Sequence, residues 1–167
     1  MFFIPSELIA ILTFPGVIVH EFAHKSACQH VGVPVYEVCY FRFGNPAGYV
    51  KHGAVQRYGQ AFLIDVAPLI VNSSLAFIIF IFAVNIPESY MQFGLYWLGI
   101  SIAMHSFPSS GDADNLWKYS KRAWRVTPWA LTGFPVVILI KVANILSFIW
   151  FDLLYAIGLL VLAGSIF

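Results

Sequence analysis

His20-Glu21-Phe22-Ala23-His24 is the stretch of this sequence best suited to chemistry. On a helix of about 3.6 residues per turn, side chains four apart share a face, so His20 and His24 can reach one metal ion. The pattern supplies two imidazole ligands with a glutamate beside the first, Glu21, that can activate water, a combination suited to zinc and hydrolysis. A solvated polar patch would carry the same five residues. Here, however, they lie in the stretch from Met1 to about Ala27, apolar otherwise except for Glu7 and Lys25. Ionisable groups at membrane depth are costly and mark function.

A catalytic zinc takes a third protein ligand and leaves one position open. Asp112 and Asp114, in Ser109-Ser110-Gly111-Asp112-Ala113-Asp114, offer the nearest carboxylates, just after an interrupted apolar segment. His105 reads better as a packed or hydrogen-bonded helix histidine, Cys28 as a small buried thiol, and His30 and His52 as loop or interface residues. Asn72 stands mid-span, four residues after Pro68. It fits an interhelical hydrogen bond and a donor near the zinc equally well.

The elements that must position these residues belong to a membrane protein. Of the 167 residues 60% are hydrophobic and only 10% charged, against about 25% charged in soluble domains; mean hydropathy is +0.81. A net charge of +1 with no dense basic run excludes nucleic acid as a partner. The cysteines, Cys28 and Cys39, make no disulfide framework.

A span needs roughly 20 apolar residues. The first runs from Met1 to about Ala27, with Pro5 and Ser6 suited to starting it; without a basic leader or cleavage site it is expected to stay in the mature chain. The second is Val66 to Val84, and the third, short one is Met91 to Phe107, stopped by Pro-Ser-Ser-Gly. From Trp129 to Phe167 the apolar chain would be about 58 Å long as one helix, so it is expected to turn back near Asn144 to Ser147. This predicts an α-helical polytopic membrane protein of about five transmembrane helices, with four as the fallback. Between the first two spans, β-branched and aromatic residues flank Gly44-Asn45-Pro46-Ala47-Gly48 over Val33 to His52, a β-hairpin signal. No repeat or linker divides the chain, so 1–167 reads as one domain.

All Lys and Arg except Lys141 fall in Lys25 to Arg57 and Lys118 to Arg125. The positive-inside tendency makes both segments cytoplasmic, with the N-terminus outside and the active site towards the cytoplasmic side. The sequence sets no oligomeric state.

Together these motifs resemble the site-2 protease family of intramembrane zinc metalloproteases, over roughly residues 10 to 120. HEFAH in one helix is followed by a hairpin, then by a segment where Pro68 and Asn72 match a Gly-Pro-x-x-x-Asn-like motif with Ala67 in the glycine position, then by a broken helix ending in aspartate. The resemblance implies zinc on His20, His24 and an aspartate, Glu21 as general base and proton shuttle, Asn72 near the active site, and membrane-protein substrates in a lipid bilayer, expected in a prokaryotic cell membrane. The family's aspartate precedes glycine. Here Gly111 comes before Asp112 and none follows, which leaves Asp112 or Asp114. Asp112 is favoured because it lies nearer the helix break and is flanked by small residues. The hairpin could add a strand to an unwound substrate or simply pack over the spans.

Overall fold

The computed structural model describes residues 6–166. These residues form seven α-helices and one two-stranded sheet: α1 (Ser6–Leu12), α2 (Phe14–His30), β1 (Val35–Cys39), β2 (Tyr49–His52), α3 (Tyr58–Val84), α4 (Tyr90–Met104), α5 (Ser110–Ala123), α6 (Gly133–Leu146) and α7 (Phe151–Gly164). Short 3-10 helices at Pro128–Thr132 and Ser147–Ile149 flank α6. The long α3 packs against α2, α4, α5 and α7 and organises the rest.

The expected first span is broken in two. Thr13 interrupts it, and Pro15, in the first turn of α2, has no N–H to continue the ladder from α1. Thr13 Oγ1 donates to the Ile9 carbonyl at 2.7 Å and accepts from His105 Nε2 at 2.8 Å. Ser101 Oγ donates to the Thr13 carbonyl and accepts from the Gly16 N–H. A Cβ at Gly16 would run into the Ser101 carbonyl, so glycine is what lets α2 come this close to α4. The proposed helix start at Pro5 lies outside the described residues.

The expected second span also differs. α3 begins at Tyr58, where Gln60 Oε1 accepts from the N–H groups of Gln56 and Arg57, both at 3.0 Å. It therefore takes in Asp65, which the sequence boundary at Val66 left outside the helix. α4 stops at Met104, before Phe107, and His105 caps it. The expected turn-back near Asn144 to Ser147 does not form: Ser147–Trp150 is a bend, with Trp150 left-handed at φ 65°, and α7 runs on along α3 in the direction of α6, from Trp129 against Tyr58 through Tyr155 against Ser73 to Ala163 in the Phe80 cluster. The hairpin forms as expected: β1 and β2 pair antiparallel, Cys39 opposite Tyr49 and Val38 opposite Val50, with a bulge between Val35 and Glu37.

Two core clusters lie along α3. Near its start, Tyr58 and Val66 pack with Ala113 and Leu116 of α5 and with Val137 and Ile140 of α6. Towards its end, Ala76 and Phe80 pack with Ile102 and Ala103 of α4 and with Ala156 and Ala163 of α7. Among the described residues, two helical stretches are long and apolar enough to cross a membrane: Tyr58–Val84, of 27 residues, and Pro128–Ile149, of 22. Helices α2, α4 and α7, of 17, 15 and 14 residues, fall short of the roughly 20 that a straight crossing takes.

Candidate metal centre

The centre is built on α2, whose helical repeat puts His20 and His24 on one face. Their Nε2 atoms stand 3.1 Å apart. Each ring is held by its other nitrogen: His20 Nδ1 is 2.8 Å from the His105 carbonyl and His24 Nδ1 is 2.9 Å from the Ile64 carbonyl. A carbonyl can only accept, so both Nδ1 atoms carry the hydrogen and both Nε2 atoms present lone pairs in the neutral rings. Two lone pairs at this separation repel unless a cation lies between them. Carbonyl-anchored imidazoles are also the usual outer support of a metal-binding histidine.

Both carbonyls are free for a reason written in the chain. Pro68 has no N–H to offer the carbonyl four residues earlier, which is that of Ile64. His105 ends α4, and its carbonyl is one of the four that a helix C-terminus leaves without intrahelical partners.

Asp112 completes the group. Its Oδ2 lies 3.6 Å from His24 Nε2, and one ligand atom from each of His20, His24 and Asp112 falls within a mutual 4.8 Å. Ligand atoms around a tetrahedral zinc at about 2.0–2.1 Å stand roughly 3.3 Å from one another, so the His20–His24 and His24–Asp112 separations fit zinc. Ser109, the N-cap of α5, fixes the aspartate: its N–H and Oγ donate to Asp112 Oδ2 at 2.8 and 2.6 Å, and its Oγ accepts from the Asp112 N–H. Asp114, the alternative third ligand, points elsewhere and pairs with Lys141 at 2.7 Å on an exposed face.

Glu21 is buried beside the histidines and, among the described residues, makes no hydrogen bond or ion pair. A Cβ on Gly48, just before β2, would collide with its side chain, so the hairpin backbone lies directly over Glu21. Glu21, His20, His24 and Asp112 together line a cavity of about 280 Å³, with hairpin residues Gly48, Tyr49 and Val50 on its other side. His20 and Glu21 also face a second cavity of about 1080 Å³, bounded by α1 and by Asn144, Trp150 and Asp152 near the α6–α7 bend.

Asn72 does not reach the ligand atoms. Fully buried, its Nδ2 donates to the carbonyls of Gly16, Ile102 and His105 at 3.3, 3.3 and 3.0 Å. It ties α3 to α2 and α4 and shares with His20 the carbonyl that orients that ring. His105 is a hydrogen-bonded helix-end histidine and Cys28 a thiol packed with Val33 and Ile64, both as expected. His52 lines the smaller cavity, while His30 is exposed.

Sequence reasoning missed Asp65, which is 2% exposed and accepts from Asn115 of α5. The available signal was a carboxylate three residues before a proline inside an apolar run. The hairpin's own charges face outward: Lys51 pairs with Glu37 at 2.7 Å and Tyr49 donates to the same carboxylate. The Lys51 ammonium, then the Tyr49 hydroxyl, hold the Glu37 carboxyl below the usual carboxylate range.

No family model, curated protein or solved structure matches this chain.

Proposed function

We propose that the chain is an intramembrane zinc metalloprotease that hydrolyses peptide bonds in or near transmembrane segments of other proteins, as the site-2 protease resemblance implies. The observation that carries this reading is the pair of carbonyl-anchored imidazoles with Nε2 atoms 3.1 Å apart, Asp112 beside them and an unpaired Glu21 in the same cavity. His20, His24 and Asp112 would hold the metal. Bound there, zinc supplies Lewis acidity that polarises the scissile carbonyl and makes water nucleophilic near neutral pH. Glu21 takes the proton of the attacking water as the new C–O bond forms, and delivers it to the amide nitrogen as the C–N bond breaks. The hairpin backbone lies over Glu21, and Gly48, lacking a side chain, leaves the space that the Glu21 side chain occupies.

The membrane reading rests on the two long apolar helical stretches and on apolar side chains left exposed on α6 and α7, such as Ile138, Val142, Ile145, Leu154 and Val161. Four crossings, with α1 and α2 sharing one and α6 and α7 another, put the N-terminus outside and the basic segments Lys25 to Arg57 and Lys118 to Arg125 in the cytoplasm. The centre then opens towards the cytoplasmic side.

The test is elemental analysis of detergent-purified protein alongside cleavage of a membrane-embedded substrate. Wild type is expected to carry one zinc per chain and to cleave, and Glu21→Gln to keep the zinc without cleaving. A wild type without zinc overturns the reading. Zinc-loaded wild type and Glu21→Gln that behave alike would reduce it to a zinc-binding membrane protein without proteolytic activity.

A further inference from the structure

The first two turns of α5 are held from two directions. Ser109 holds them locally, through Asp112. The other hold comes from α3, where Asn115 Nδ2 donates to Asp65 Oδ1 at 3.0 Å and Oδ2 at 2.9 Å. Asn115 follows Asp112 by three residues, so the two lie on one face of α5. Asp65 adjoins Ile64, whose carbonyl anchors His24. One turn of α3 thus reaches two of the three ligands, one through a carbonyl and one through a carboxylate.

Asp65 is an expensive way to join two helices. It is 2% exposed, and no described Lys or Arg pairs with it. A buried carboxylate without a cationic partner disfavours folding, where an apolar residue would pack freely. Its compensation is directional: both carboxylate oxygens accept from the one Asn115 amide, at 3.0 and 2.9 Å.

We propose that Asp65 is a positioning residue for the metal centre, clamping Asn115 so that α5 presents Asp112 to His24. The inference rests on the zinc reading of the same site. Asp65 touches no ligand atom and acts through Asn115. It also accounts for the choice of aspartate: rotation of α5 about its axis decides whether Asp112 or Asp114 faces α2, and the Asp65–Asn115 bond fixes that rotation from within the site.

The experiment is zinc affinity by chelator competition, with the visible spectrum of the cobalt-substituted protein, for wild type, Asp65→Ala, Asn115→Ala, their double variant and the exchanged pair Asp65→Asn/Asn115→Asp. Each alanine variant is expected to lose about 10- to 100-fold in affinity and to shift the cobalt bands. The double variant should lose no more than the worse single one. The exchanged pair, which restores a carboxylate-to-amide bond with the partners reversed and keeps the site polar, is expected to recover most of the affinity and the wild-type spectrum. Variants that melt earlier but keep wild-type affinity and spectrum overturn the clamp and leave the zinc reading intact. Amide exchange over Ser110 to Asn115 in metal-free protein separates the two cases. If wild type binds no metal, faster exchange in Asp65→Ala sustains the clamp while the zinc reading falls, and unchanged exchange ends both.

Discussion

The two halves of α3 belong to one continuous helix and bury different chemistry. From Tyr58 to Asn72 the buried face includes Asp65, Pro68 and Asn72, whose polar or missing groups act on α2, α4 and α5. From Ser73 to Val84 it consists of Ala76, Phe80 and Ala83 against α4 and α7. The second half gains stability by close packing against its neighbours. The first gives up some of that gain, with a proline in mid-helix and a buried acid, and in return orients the candidate ligands. A helix can therefore anchor a fold at one end and tune a site at the other, provided the rigid half holds the strained half in place.

That contrast can be broken most severely at the ligands. His24→Ala is expected to remove stoichiometric zinc on elemental analysis while far-UV circular dichroism stays helical; a full zinc complement in the variant would mean the first half of α3 orients no metal site. At the other end, Phe80→Ala should cost about 3–5 kcal/mol of stability, read by reversible unfolding in detergent. The folded protein should keep wild-type zinc affinity. A large affinity loss there would show that the two halves are coupled.

Pro68→Ala sharpens the comparison because its two effects have opposite signs. The restored N–H gives Ile64 a helical partner, worth up to about 3 kcal/mol in a helix interior, and takes the carbonyl from His24. Stability should rise while zinc affinity falls about tenfold; a fall in both would remove the carbonyl's assigned role. Asn72→Leu strips donors from three buried carbonyls and should cost about 1–3 kcal/mol. Its affinity loss should be smaller than that of Pro68→Ala, since His20 keeps the His105 carbonyl, and melting with zinc titration checks both.

The smallest effect belongs to the hairpin. The folded-state pKa of Glu37 is depressed by Lys51 and Tyr49, so its contribution is present above the unfolded carboxyl value and lost as pH falls through the folded one. Being fully exposed, the pair should contribute little. Glu37→Gln is expected to melt close to wild type at neutral pH, and any difference should vanish on acidification; a difference that grows in acid would contradict the sign.

Much of the site was legible in the residues. The spacing of His20 and His24, Glu21 beside them, the hairpin signal around Gly44 to Gly48 and the helix stop before Asp112 are all local patterns, and local patterns act through backbone geometry that the chain carries with it. Asp65 was missed because a charge bordering an apolar run reads as the end of a span, when the helix in fact begins eight residues earlier than Val66, at Tyr58. The break at Thr13 was missed because Pro15 is compatible with the first turn of a helix; the hydrogen bonds to His105 and Ser101, from distant parts of the chain, fix where that first turn lies.

The choice between Asp112 and Asp114 marks the boundary. Sequence alone determined that a carboxylate would follow the helix break, since Pro108 and Ser109 dictate where α4 cannot continue and α5 begins. Two residues apart on a helix, however, the candidates point about 200° from each other, and nothing local says which faces α2. Packing decided it: Ala113 and Leu116 are buried against α3 and α6, Asn115 meets Asp65, and Asp114 is turned out to Lys141. Rotation of a helix about its own axis costs its backbone nothing, so only contacts with other helices can set it.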